Sequence, residues 1–300
     1  MTTQTLKPSA QSLWVIFLLV ILGVGWGLHF SLIKIAAESG LPFSGITALT
    51  TIGILIFMLS ISAYRRRWPS MRPGALRFYL VCAALGYIIA FFVELEVSQH
   101  INAGELTLIV ATTPVWTILI TSLWRAKPVS LRQILGLTLG LAAVSVLIIP
   151  ELSFDSGSTT LWLALAFLVP LTNASYPNVV EASWPEGMDR WQVAGGGTIA
   201  ATVLLTPLFL VFGDGMGVFL DWTSGSWTIP VMAFMALWEI YLYFEVVRLS
   251  SAVVVSQANY VTIISGLLWG ALIFGETISG LVVICALFTV AALFLTTERS

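Results

Sequence analysis

The chain has 300 residues, of which 58% are hydrophobic and 9% charged, far below the roughly 25% charge of soluble globular domains. Mean hydropathy is +0.97, so a water-soluble globule is excluded and a bilayer is the expected solvent. Thirteen Lys and Arg against fifteen Asp and Glu leave a net charge of −2, which excludes nucleic acid as a main partner.

A hydrocarbon core about 30 Å thick takes about 20 apolar helical residues, and a helix satisfies its own backbone hydrogen bonds there. In chain order, spans are predicted at 12–37, 42–64, 77–99, 104–125, 130–149, 161–180, 191–213, 228–247, 252–274 and 279–296. The first run is too long for a secretory h-region and no small-residue cleavage site follows it, so it is kept as a span. The loops are too short for a separate soluble core. The expected organisation is an all-α polytopic membrane protein of ten transmembrane helices. Residues 1–11 form a cytoplasmic tail, 12–150 a first five-helix unit, 151–160 an outer connection, 161–296 a second five-helix unit and 297–300 a second cytoplasmic tail.

Lys and Arg are retained on the cytoplasmic side of short loops. With the N-terminus inside, Lys7, Arg65, Arg66, Arg67, Arg72, Arg77, Arg125, Lys127, Arg132, Arg190, Arg248 and Arg299 all fall inside and Lys34 alone falls outside. An odd number of spans would scramble that sorting, so both termini are expected in the cytoplasm. At an offset of 149, nine of the 48 positions from 96 to 143 repeat without a gap, among them Glu96-Val97 with Glu245-Val246 and Ala142-Ala143 with Ala291-Ala292. Five spans is an odd number, so two such units enter the membrane with opposite topology. That is the architecture of many secondary transporters, whose solute site lies near the midplane between the halves.

The stretch W-G-L-H-F-S-L-I-K from Trp26 to Lys34, the ending L-I-F-G-E-T-I-S from Leu272 to Ser279 and Pro114 in span 4 resemble the drug/metabolite transporter superfamily, in particular its EamA-type ten-span exporters. His29 stands where the family often has Asn, Thr47 to Thr51 lack its span 2 Arg, and Ile263 rather than Pro answers Pro114. Size and aromatic content resemble the branch of YddG-type amino-acid exporters. The resemblance implies export across a bacterial inner membrane, with small-molecule solute and lipid as the partners.

Carboxylates inside a bilayer are functional candidates by default. Glu94 shares a helical face with Phe91 and Tyr87, and Glu239 shares one with Tyr243, Ala236 and Met232. Each is expected to bind a solute amine or carry a proton, or else to hold helices together. Glu245, three residues before Arg248, reads as a local ion pair. His29 titrates in the physiological range and is a second proton candidate, the alternative being a neutral interhelical hydrogen bond. Lys34 reads as an anchor at the outer surface or a receptor for an anionic group. Nine tryptophans and tyrosines sit at span ends, as an interfacial belt. Those left in the interior include Trp26, Tyr87, Trp116, Tyr176, Trp238 and Tyr243, expected to wall a cavity for an apolar or aromatic side chain, with Tyr241, Tyr260 and Trp269 as further candidates. The amides of Asn173, Asn178, Gln257 and Asn259 face either a zwitterionic solute or neighbouring helices.

Gly23, Gly25, Gly27, Pro114, Pro170, Pro177 and Pro207 are candidate hinges. Gly136 with Gly140, and Gly266 with Gly270, have the spacing of close helix contacts. Cys82 and Cys285 lack any metal or redox spacing, and no metal or cofactor is expected. No G-x-x-x-x-G-K-[ST] loop exists for ATP. The function that emerges is secondary transport by alternating access, exporting small metabolites, amino acids with apolar or aromatic side chains first among them, with a monomer sufficing. Its rivals are export of toxic amphipathic compounds, a facilitative uniporter and, failing a catalytic cluster, a multispan membrane enzyme.

Overall fold

Apolar runs with no backbone partner in lipid beyond their own turns become helices, and every regular element among the described residues of the computed structural model is helical. The structure describes residues 8–41, 43–89, 93, 97, 100, 106, 109–110, 112–125, 128–148, 160–212, 223–275 and 280–297. The helices are α1 (Pro8–Glu38), α2 (Phe43–Arg65), α3 (Pro73–Ala83), α4 (Thr113–Arg125), α5 (Leu131–Ile148) and α6 (Thr160–Ala166). They continue with α7 (Leu168–Ala182), α8 (Arg190–Phe212), α9 (Thr228–Leu249), α10 (Ala252–Ser256), α11 (Ala258–Phe274) and α12 (Gly280–Thr297).

Five stretches are long and apolar enough to cross a bilayer: Ser12–Ala36, Gly45–Arg65, Leu161–Ala182, Thr228–Leu249 and Ala252–Phe274. Two of the predicted spans are interrupted, at Phe167 between α6 and α7 and at Gln257 between α10 and α11. α3 runs directly into a π turn at Ala84–Ile88. The predicted spans at 77–99 and 104–125 are described in part, and 151–159 lies outside the described residues.

Helix ends follow local chemistry. Asp189 and Gln192 form a reciprocal cap at the start of α8. Asp189 Oδ1 accepts from the Trp191 and Gln192 N–H groups at 3.0 and 3.1 Å, while Gln192 Oε1 accepts from the Asp189 N–H at 3.1 Å. Ser130 and Gln133 repeat the device before α5. At the end of α11, Gly275 takes a left-handed φ of 70° and donates its N–H to the Ala271 carbonyl, a conformation that costs a residue without Cβ nothing.

Asp189 also receives Arg65 Nη2 at 3.0 Å and Arg67 Nη1 at 3.5 Å, tying α8 to the end of α2. Burial pushes its carboxyl up, but the Gln192 N–H, the Arg65 guanidinium and the Trp191 N–H together outweigh this and hold it below the usual carboxylate range. A lowered folded pKa adds stability that is complete above the unfolded value and disappears as pH falls through the folded one. Asp189→Asn is therefore expected to lower thermal stability in detergent near neutral pH by roughly 0.5 to 1 kcal/mol. The wild type and the variant converge in acid, and a difference that grows on acidification would contradict the assignment.

The side-chain distribution is that of a lipid-solvated protein. Phe30, Leu123, Val203, Phe234, Leu272 and Leu287 face outward, whereas Thr113, Thr117, Thr121, Asn178, Thr198 and Ser265 are buried. Lipid is as apolar as leucine, so helices associate through small residues and polar groups instead. Between α4 and α7, Thr121 Oγ1 donates to Asn178 Oδ1 at 2.8 Å and Asn178 Nδ2 donates to the Ala174 carbonyl at 3.0 Å. Asn178→Ala removes the interhelical acceptor while Thr121 Oγ1 keeps the Thr117 carbonyl at 2.7 Å, and a loss of about 0.5–1.5 kcal/mol is expected in a thermal unfolding assay. Between α1 and α11, Ser265 Oγ donates to the Gly23 carbonyl at 2.9 Å and Trp269 Nε1 to the Val24 carbonyl at 3.0 Å.

That contact depends on absent side chains. A Cβ on Gly23 would lie 2.5 Å from Val261 Cβ and 2.9 Å from the Ala258 carbonyl oxygen, and one on Gly27 would overlap Ser265 Oγ and approach the Gly266 nitrogen at 2.7 Å. The α1 glycines therefore sit at a close helix crossing. Pro114 falls in the first turn of α4, where a proline removes no helical hydrogen bond, and Pro207 lies inside α8.

Candidate functional site

A cavity of about 330 Å³ opens among α1, the π turn, α7, α9, α10 and α11, lined by Trp26, Gly86, Asn173, Tyr176, Pro177, Glu239, Ile240, Tyr243, Phe244, Val255, Ser256 and Asn259. Helical spacing supplies most of this wall. Glu239 and Tyr243 are one turn apart on α9, Asn173, Tyr176 and Pro177 form a stripe on α7, and Ser256 and Asn259 straddle the α10–α11 break. Glu239 is the twelfth of the 22 residues of α9, which places the acid at the mid-depth of a helix long enough to span.

The Glu239 side chain is 4% exposed and borders the cavity. Its Oε2 lies 3.1 Å from His29 Nδ1, and its Oε1 is buried with no hydrogen-bond partner among the described residues. The approach of α1 is possible because Gly25 stands opposite: a Cβ there would lie 2.6 Å from Glu239 Oε1 and 2.5 Å from Trp238 Cη2. His29 Nε2 lies 3.3 Å from the Met232 carbonyl oxygen.

The proton count follows from the donors. A carbonyl oxygen only accepts, so Nε2 must carry hydrogen, and the contact of Nδ1 with Oε2 needs one further proton on either partner. Imidazolium with carboxylate, or imidazole with carboxylic acid, both meet this condition, and both are net neutral. Removing one proton breaks a hydrogen bond and leaves one negative charge on the pair.

Above the acid the wall is aromatic. Tyr176 and Tyr243 stack with centroids 5.4 Å apart and planes inclined by 22°, and Trp26 meets Tyr243 at 6.3 Å. Tyr176 reaches this position against the π turn, where a Cβ on Gly86 would stand 3.1 Å from its ring. π turns recur at functional sites because the extra residue reorients the backbone locally.

Of the residues expected at a site, Trp26, Tyr176, Glu239, Tyr243 and Asn259 line this cavity and His29 grips its acid. Trp238 packs against α1 beside it. Trp116 lies elsewhere, donating Nε1 to Thr112 Oγ1 at 3.1 Å and meeting Phe167 edge-on. Glu94 and the Tyr87 side chain lie outside the described residues. Three other interior aromatics hold helices together: Tyr260 donates to the Leu137 carbonyl at 3.1 Å, Trp269 to α1, and Tyr241 lies under Arg190 at 4.5 Å. Glu245 pairs with Arg248 at 2.8 Å and with Arg190. Gly86, Ile240, Phe244, Val255 and Ser256 carried no chemical signal in the sequence, since small and aliphatic residues acquire a role only from what surrounds them.

Fold and site together define a helical integral membrane protein with an acidic, aromatic-walled chamber at the mid-depth of its helices. Residues 13–149, a little under half of the chain, match the EamA-like transporter family, which supports an EamA-type protein of the drug/metabolite transporter superfamily. Among similar proteins is PagO of Salmonella typhimurium, 25% identical over 53% of this chain and 50% of PagO, so the match spans half the length of that relative. YedA of Escherichia coli strain K12, described as an uncharacterized inner membrane transporter, is 25% identical over 85% of this chain and 81% of YedA. A solved crystal structure shares the fold with a TM-score of 0.71 at 16% identity, covering 93% of this chain and 98% of the other.

Proposed function

We propose that the protein is a secondary transporter of the bacterial inner membrane that exports small amphipathic metabolites bearing an amine, apolar and aromatic amino acids among the candidates, by alternating access. The observation that carries this reading is Glu239: a buried acid in the wall of a chamber, holding His29 with one oxygen while the other has no hydrogen-bond partner among the described residues. A proton on the pair and a cationic group in the chamber compete for the same carboxylate. Each therefore weakens the other's binding by the same factor, the requirement for exchange of one against the other. The groups facing His29 from α9 are Glu239 and the Met232 carbonyl, and Tyr176 and Tyr243 complete the ionisable set of the lining.

Packing supports a ten-span reading with two inverted five-helix units, 12–150 and 161–296. Exchanging first-unit helices for their second-unit counterparts turns the α1·α11 contact into α7·α4, α1·α9 into α7 with the π turn, and α2·α9 into α8·α3. The α2·α8 and α5·α12 contacts map onto themselves. Such symmetry gives alternating access two equivalent arrangements around one site. The sorting of Lys and Arg supports cytoplasmic termini, and one copy encloses the chamber, so a monomer suffices.

The deciding measurement is efflux of radiolabelled tyrosine and tyramine from proteoliposomes with and without a pH gradient. Saturable flux accelerated by a gradient is the expected result. Flux that is linear in solute and indifferent to the gradient would overturn the reading.

A further inference from the structure

We infer that the chamber selects organic cations, an aromatic or apolar body carrying an ammonium and no carboxylate, over zwitterionic amino acids. This rests on the transport reading for its purpose but not for its measurement.

The charge inventory is one-sided. Among the described lining residues Glu239 is the one acidic or basic side chain, and its Oε1 is deeply buried with no hydrogen-bond partner among the described residues. Basic side chains on the elements that build the chamber are His29, Lys34 and Arg248. His29 is committed to Glu239 and the Met232 carbonyl. Lys34 is exposed, with its ammonium 4.1 Å from the Phe274 ring centroid. Arg248 binds Glu245 through two nitrogens. The sequence has no Lys or Arg between Arg77 and Arg125 or between Arg132 and Arg190.

A solute ammonium meets the Glu239 carboxyl group and a wall of three aromatic side chains, Trp26, Tyr176 and Tyr243, whose ring quadrupoles attract cations. A solute carboxylate in the same chamber finds an acidic side chain and neutral donors alone: the amides of Asn173 and Asn259, of which Asn259 already donates to the Ser256 carbonyl at 3.0 Å, and the hydroxyls of Ser256, Tyr176 and Tyr243. An ionised carboxylate removed from water with no cationic partner is strongly disfavoured. An amino acid carries both groups and gains from one while losing from the other.

The test is calorimetric titration of the purified full-length protein in detergent with a matched series: tyramine, tyrosine methyl ester, tyrosine and 3-(4-hydroxyphenyl)propionate. Tyramine and the ester are expected to bind at least about tenfold more tightly than tyrosine, with no heat from the propionate. Tyrosine binding as tightly as tyramine, or no binding by any of the four, would overturn the inference. Because the comparison uses one folded protein, it does not depend on a variant surviving purification. Glu239→Gln then adds a second arm, with tyramine affinity falling at least about tenfold while tyrosine and tyramine become alike. An unchanged preference for tyramine in that variant counts against the carboxylate. Tyramine binding without flux in proteoliposomes would defeat the transport reading and leave the selectivity standing. Gradient-driven flux with tyrosine preferred would do the reverse.

Discussion

Glu239→Gln reduces gradient-driven efflux by about 100-fold or more, the equivalent of losing a charge-assisted contact worth about 3 kcal/mol, while leaving the protein folded. Glutamine keeps the shape, and its amide N–H can donate to the unprotonated Nδ1 of a neutral His29, so the α1·α9 contact survives. It does not keep the charge that a cationic solute meets, nor the site where a proton is exchanged for it. A pH-sensitive dye trapped in the liposomes separates the two losses, since wild-type protein acidifies or alkalinises the lumen on addition of solute and the variant does not. His29→Asn is expected to behave differently. It retains the carboxylate and solute binding, and it flattens the pH dependence of that binding. Proton movement of wild-type size in Glu239→Gln would place the exchange at another acid, and Glu94 is then the next candidate.

The largest structural effect is expected from Gly27→Leu. Its Cβ has the Gly266 nitrogen at 2.7 Å as well as Ser265 Oγ, and backbone cannot rotate aside as the end of a flexible chain does. Overpacking typically costs 1–3 kcal/mol, and a leucine at a backbone-limited crossing belongs at or beyond the top of that range. The change also separates Ser265 from the Gly23 carbonyl and Trp269 from the Val24 carbonyl, so the α1·α11 contact fails as a unit. A marked fall in the detergent unfolding temperature is expected, with poor recovery from membranes. Gly197→Ala is the matched control. Nothing lies within 4 Å of its Cβ position, so the substitution is expected to be neutral or stabilising by up to about 1 kcal/mol through helix propensity. Equal behaviour of the two variants would show that backbone proximity does not set the α1·α11 packing.

Hydropathy located most of the described helices closely. α1, α2, α5, α8, α9 and α12 begin and end within a few residues of the predicted spans, because a bilayer makes helix formation a local matter of length and apolarity. The Trp26–Lys34 motif pointed to the family for a related reason: such a motif is contiguous along one helix. Glu239 and Tyr243 were equally legible, being a costly charge and an aromatic at helical spacing.

Local pattern could not reveal partnership. His29 and Met232 are 203 positions apart, and the pairing of His29 with Glu239 exists because Gly25 lets α1 approach α9. On the proposed function, that pairing is what makes Glu239 a proton-carrying acid rather than one that merely holds helices. The interior aromatics divide on the same grounds: Tyr176 and Tyr243 face a chamber, whereas Tyr260 spends its hydroxyl on the Leu137 carbonyl. Span position and hydropathy are alike for all three, and which face a helix turns toward which neighbour is the sum of many weak long-range contacts. The breaks at Phe167 and Gln257 and the π turn at Ala84–Ile88 have the same origin. A helix departs from regularity where its neighbours reward the departure, and the one-dimensional pattern of apolar residues carries no record of its neighbours.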